Sequence, residues 1–255
     1  MFLVARSSRN GRGPDDMSRI EGVISRSSEA YERIREDLIA GILLPGTKLA
    51  ISDLQERYGL GAMPLREALN RLSAEQFVLK YDQRGFAVPP LDASEFLEIQ
   101  NARIVVDTAA LRETIASETR DWEDRLVLAY HHLTKASKLS PDYLLSAEWS
   151  HSHTAFHKEL ISGCKNNWLL MFADQLFKQS QRYRVRRRQI DAEDPPRRAN
   201  LLEEHRAIMD AAIEGDAETA TARLIEHYRR SVETVLGEPV ELCSSHLRFC
   251  RPQEK

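Results

Sequence analysis

At 255 residues, 42% of them hydrophobic and 29% charged, the chain is long enough for two domains of ordinary size and has the composition of a soluble globular protein. Its net charge of −3 excludes nucleic-acid binding by bulk charge, so any contact with DNA has to come from a local basic surface. No apolar run reaches membrane-spanning length and the start Phe2-Leu3-Val4-Ala5 is too short for a signal-peptide core, so no membrane partner and a cytoplasmic location are expected.

Residues 1–27 hold Arg6, Arg9, Arg12, Arg19 and Arg26 among Ser, Asn and Gly without a sustained apolar period, the pattern of a disordered arm. Such an arm either grazes DNA phosphates or is a bland extension, with translation starting at Met17 as a further option. In residues 30–42 (AYERIREDLIAGI), Tyr31, Ile34, Leu38 and Ile39 share one helical face that stops near Gly41. In residues 45–72 (PGTKLAISDLQERYGLGAMPLREALNRL), Leu49, Leu54, Leu65, Ala68, Leu69 and Leu72 recur at helical spacing on both sides of Tyr58-Gly59-Leu60-Gly61. Glycine on either side of Leu60 suits a tight turn, and Pro64 sits where a first-turn proline costs no hydrogen bond. Two short helices joined this way form a helix-turn-helix, whose second helix can lie in a major groove.

Two β-prone runs, 77–81 and 86–88, then flank Asp82-Gln83-Arg84-Gly85 and predict a hairpin, the wing of a winged helix. In the second helix Arg66 and Asn70 share a face at i, i+4, with Arg71 beside them, a pattern that a solvated polar face also produces. Arg66 is expected as the strongest phosphate or base contact, Asn70 as a base reader, and Arg84 with Gly85 as the contact from the wing.

The segments GILLPGTKL, GLGAMPLREALNRL and RGFAV resemble the N-terminal domain of the GntR transcriptional regulators over residues 28–90, most specifically at Pro64-Leu65-Arg66-Glu67-Ala68-Leu69. The resemblance implies a winged helix-turn-helix DNA-binding domain. Two positions depart from the family pattern. Ile51-Ser52 stands where a Glu-Arg pair is usual and Gly61-Ala62 where Ser-Arg is usual, so two arginines expected on DNA are absent.

Pro89-Pro90 closes this domain, and residues 91–96 read as a linker into a helix capped by Asp92 or Ser94. From there to residue 236 the pattern is helix after helix without a strand, over 93–118, 120–137, 142–162, 166–190, 198–214 and 217–236, which predicts a helical bundle. The whole is thus expected to be mainly α. The tail 237–255, with Cys243 and Cys250, is expected to be loosely ordered. With Cys164, these widely spaced thiols form neither a disulfide framework nor a zinc knuckle.

His153 and His157 at i, i+4 project from one helix face, as a shared metal ion requires. His205 and His227 lie on two later helices amid apolar neighbours, and bundle interiors build metal sites from facing helices. A histidine pair at this spacing also arises by chance, and a lone helical histidine is more often a satisfied residue.

Residues 93–235 are similar to the FCD ligand-binding domain of the FadR-like branch of the same family. The segments that carry this are Ile99-Gln100-Asn101-Ala102-Arg103 through Asp107, Ala155-Phe156-His157, Asn166-Asn167, Glu204-His205-Arg206-Ala207-Ile208, and Gly215-Asp216 leading to His227. The resemblance implies a metal site of one Asp and three His; His157, His205 and His227 match, and His153 stands where the Asp is usual. Losing that carboxylate shifts preference toward Zn, Ni, Cu or Co over Mn or Mg. Occupancy is expected to fall as pH drops through the histidine range.

By the same resemblance Arg103 faces the effector cavity, where a guanidinium suits bidentate capture of a carboxylate; a surface salt bridge with Asp107 is the competing role. The run from Arg182 to Arg188 is mostly a solvated helix face, with Arg182 or Arg184 as candidates to reach the cavity. The reading is a ligand-responsive transcriptional regulator that binds a palindromic double-stranded operator as a homodimer. Its effector is a small organic acid, bound with or without a divalent transition metal, Zn or Ni. The alternatives are a metal-dependent hydrolase, which lacks an H-E-x-x-H pattern near the histidines, and a regulator with a degenerate effector site.

Overall fold

Ser25 accepts a hydrogen bond from Ser28 N at 3.1 Å and so starts the first helix, α1 (Arg26–Ile39), four residues before the apolar stripe that betrays it. The computed structural model describes residues 25–117, 119–139, 143–184, 186, 190, 195–240 and 242, with the side chains of 145 and 195–199 excepted. The expected arm up to residue 24, Val185, Arg187, Arg188 and the tail from 243 onward with both of its cysteines lie outside the described residues.

After α1 come β1 (Lys48–Leu49), α2 (Ile51–Tyr58), α3 (Ala62–Ala74), β2 (Leu79–Tyr81) and β3 (Gly85–Ala87). Helix α2 ends on Gly59 at φ +67, the left-handed turn that the glycine pair suggested. Pro64 falls in the first turn of α3. The strands form one antiparallel sheet in the order β1-β3-β2, with Leu49 opposite Phe86 on one side and Lys80 opposite Phe86 on the other. Leu49 is therefore corrected from helical stripe to strand: it reaches the core from β1, where alternation and helical spacing cannot be told apart over two residues. The core joins Ile34 of α1, Leu54 of α2, Leu65 and Leu69 of α3, and Phe77.

The second half is built of α4 (Ala93–Ala116), α5 (Arg120–Ala136), a single 3-10 turn (Tyr143–Leu145), α6 (Ala147–Leu160), α7 (Asn167–Gln181), α8 (Pro195–Ile213) and α9 (Ala217–Leu236). Asp92 caps α4 through Ser94 N at 2.8 Å. Helix α4 packs against both α7 and α9, while α5 packs on α6 and α8. Ile104, Leu111, Trp122, Leu126, Phe156, Ile208 and Leu224 meet in the core. Three expected spans shift. The span 142–162 breaks at Ser146, which caps α6; 166–190 is interrupted after Gln181 by a turn at Arg182 and Tyr183, with Arg184, Arg186 and Ile190 again helical; and 198–214 begins at Pro195, a first-turn position that tolerates proline. Among the described residues no helix is long and apolar enough to cross a membrane.

Candidate functional site

The buried stripe of α3 is Leu65, Ala68, Leu69 and Leu72, which leaves Met63, Arg66, Glu67 and Asn70 on the opposite, exposed face. Asn70 accepts a hydrogen bond from Lys80 Nζ of β2 at 2.9 Å, so Lys80 joins this face, a residue that its strand position alone did not single out. Arg84 lies in the exposed hairpin turn and Gly85, at φ +88, opens β3 directly after it. Arg71 goes elsewhere. Its guanidinium lies 4.2 Å from the centre of the Tyr31 ring on α1, and Tyr31 in turn donates to Glu75 Oε2 at 2.7 Å. One residue beyond Asn70 is about 100° further round the helix, which turns Arg71 toward α1 and away from Arg66.

The four histidines come together. Helix α6 presents His153 and His157, α8 presents His205 and α9 presents His227, all of them buried. One ligating atom from each lies within 4.8 Å of the others. His205 Nδ1 is 2.6 Å from Leu201 O, and His227 Nδ1 is 2.8 Å from Glu204 Oε2. Both acceptors fix the proton on Nδ1 and leave Nε2 with its lone pair, the state in which imidazole binds a metal. His205 Nε2 and His157 Nε2 are 3.3 Å apart. Burial first, and then the neighbouring cationic and imidazole groups, hold the His153 and His157 imidazolium well below the usual range. The donor set thus fits a cation that prefers neutral nitrogen ligands. His153 is the exception within it, because Arg184 Nη2 lies in close contact with its Nδ1 and competes for that lone pair. His151, two residues away, is exposed.

Arg103 is not on the surface. It is 5% exposed, donates to Asp107 Oδ2 from Nε at 3.1 Å and to Tyr228 Oη from Nη2 at 2.7 Å, and reaches Ser180 Oγ at 3.3 Å. Arg103, Asp107 and His157, with Phe177, Leu224 and Tyr228, line a cavity of about 260 Å³. A narrower space of about 30 Å³ adjoins it, bounded by Gln100, His153, Arg184 and His227. Arg182 does not reach either space. As the C-cap of α7 it points to the linker, donating to Glu95 Oε1 at 3.1 Å and Pro90 O at 3.2 Å, so the cavity arginine of this run is Arg184. Tyr228 and Ser180 escaped the sequence reading, and so did the contact of Glu204 with His227, since each owes its place to a partner on another helix.

Among known families, the chain matches "Bacterial regulatory proteins, gntR family" over residues 26–88 and "FCD domain" over residues 98–230. It is 34% identical over 219 residues to the uncharacterized HTH-type transcriptional regulator BphR of Paraburkholderia xenovorans (strain LB400), a match covering 85% of this chain and 87% of that one. It is 31% identical over 208 residues to the HTH-type transcriptional repressor GlaR of Escherichia coli (strain K12), covering 79% and 91%. A solved structure of E. coli McbR/YncC shares the fold with a TM-score of 0.69 at 19% identity, over 84% of this chain and 99% of that one.

Proposed function

The chain belongs to the GntR family of bacterial regulatory proteins and carries an FCD domain, and on that premise we propose how its two halves divide the work. It is a DNA-binding transcriptional regulator with a ligand-binding domain, not an enzyme, which sets the hydrolase alternative aside. In this reading it acts in the cytoplasm as a homodimer on a palindromic operator. Helix α3 lies in the major groove with Arg66 and Asn70 toward the bases, while Arg84 and Gly85 of the wing and Lys80 meet the backbone. The bundle takes a small carboxylate together with a divalent transition metal, Zn or Ni, held by His157, His205, His227 and, once Arg184 yields, His153.

The observation that carries this is the convergence of four buried imidazoles beside a buried arginine. A metal there supplies a fixed positive charge for a carboxylate oxygen. The chain's own part is to hold Nε2 of His205 and His227 inward through Leu201 O and Glu204, and to exclude water with Phe156 and Phe177. The contact of Arg184 with His153 favours a second reading, in which Arg184 replaces the metal and the site binds the anion directly. Elemental analysis separates them. Protein purified without chelator is expected to hold close to one Zn or Ni per chain, lost in His205→Ala. Metal-free protein whose melting temperature is indifferent to added Zn and Ni would support the second reading instead.

A further inference from the structure

A cavity of about 220 Å³ lies at the joint of the two halves, lined by none of the four histidines. The winged helix supplies most of its wall: Leu38 near the end of α1, Leu43 from the loop that follows, Phe77 after α3, and Val88 with Pro89 after β3. Leu91 of the linker joins them, and Arg182 and Arg186 come from the bundle. Backbone hydrogen bonds hold this wall in place. Gly46 N donates to Val88 O at 3.0 Å, Val88 N to Thr47 O at 2.8 Å and Leu43 N to Asp37 O at 3.2 Å. Leu44 lines the cavity too and is 59% exposed, an apolar side chain that the fold leaves in water.

The charge of the wall has one sign. Its ionisable side chains are the two guanidiniums, and no Asp or Glu lines it among the described residues. Arg182 is buried and already paired, with Glu95 Oε1 at 3.1 Å, Gln179 Oε1 at 3.3 Å and Pro90 O at 3.2 Å. Arg186 is exposed and pairs with no acid among the described residues. Its planar guanidinium suits a carboxylate or phosphate gripped by two parallel hydrogen bonds. An ordered water needs about two to four polar partners, which the apolar wall does not offer. A cation would meet only like charge.

We propose that this joint is a ligand site of its own, for a small amphipathic anion whose hydrocarbon body lies on Leu38, Leu43, Phe77 and Val88 while its headgroup pairs with Arg186. The site uses no metal and no histidine, so it stands apart from the carboxylate reading above; Arg184, two residues earlier, is the one that turns to His153. Because the wall comes from both halves, such a ligand binds the docked arrangement and favours it over any in which the winged helix has swung away.

The test uses the full-length chain freed of metal by chelation, titrated calorimetrically with octanoate, octanol and octylamine, which share a chain and differ in headgroup charge. Octanoate is expected to bind on the order of tenfold more tightly than octanol, and octylamine more weakly than either. Arg186→Gln should bring octanoate down to the level of octanol. Leu44→Asp, which adds a carboxylate to the wall, should weaken octanoate more than octanol. Both positions are exposed, so neither change endangers the fold, and neither residue lines the histidine cavity. Octanoate affinity that is the same in both variants as in the natural chain would put the ligand elsewhere and overturn the inference. Equal binding of the three headgroups would overturn it as well. If octanoate does not bind, the ligand site falls, and loss of the dimer in Leu44→Asp would then give the cleft to a second copy of the chain. The histidine-cavity reading survives each of these failures, because metal content and His205→Ala decide it.

Discussion

Arg103 and Asp107 stand one helical turn apart, a spacing that looks the same on a surface and in a core. What distinguishes the two cases is Tyr228, which reaches the pair from α9 across 125 and 121 residues of sequence, and no local pattern announces that. The buried placement changes the expected behaviour of Arg103→Ala. Removing the guanidinium strands the Asp107 carboxylate in the core, so the variant should lose about 3–5 kcal/mol of stability in chemical denaturation, in addition to any loss of ligand binding. A variant as stable as the parent would mean that the pair is solvated after all. The four histidines were legible because two share a helix face and all four fall on family positions; the approach of Arg184 to His153 was not, since it depends on how α7 ends. Their burial has a pH consequence. Unfolded histidines take up protons below the usual 6.5, whereas His153 and His157 in the native chain resist protonation until well below it. Stability is therefore present above pH 6.5 and lost as pH falls, by about 1.4 kcal/mol per histidine for each further unit. Melting of metal-free protein between pH 7 and 5 checks this, and a flat profile would contradict it.

Helix α7 has two working faces. Ala173 and Phe177 line the cavity and Ser180 receives Arg103, while Gln179 donates to Glu75 O at the end of α3 and Arg182 holds Pro90 O and Glu95. A change in the cavity thus has one helix to move before it meets the recognition helix. Gln179→Ala should leave ligand affinity unchanged and reduce the effect of ligand on operator binding; full retention of the response would remove Gln179 from the route. On the DNA side, Arg66→Ala should cost on the order of 1–3 kcal/mol of operator affinity with helix content intact. Fluorescence anisotropy with an operator duplex measures it, and undiminished affinity would take Arg66 off the DNA. Elements with strong periodicity and clean caps were readable to within a residue or two, as α9 was. Leu49 was misplaced because a two-residue strand is shorter than any period. The break after Gln181 was missed because the arginine run continues a helical pattern; the chain turns at Arg182 and Tyr183, and the described residues Arg184, Arg186 and Ile190 beyond them are again helical.

At the scale of the whole molecule, the order of winged helix and helical bundle was plain in the sequence, and the joint between them was not. Among the described residues the joint includes single contacts from Gln179 and Arg182 to backbone carbonyls, which any donor side chain could make and no composition reveals. It matters because a ligand shifts an equilibrium only by its differential affinity for two arrangements, here two placements of the DNA-binding half relative to the bundle. The function proposed for the cavity beside the histidine cluster is control of DNA binding. Its most direct test is operator affinity of the full-length, metal-loaded protein, measured by anisotropy with and without a saturating carboxylate identified by calorimetry. A change in Kd of about fivefold or more, in either direction, is expected, and His205→Ala should abolish it. An operator Kd that stays the same with the cavity saturated would contradict it.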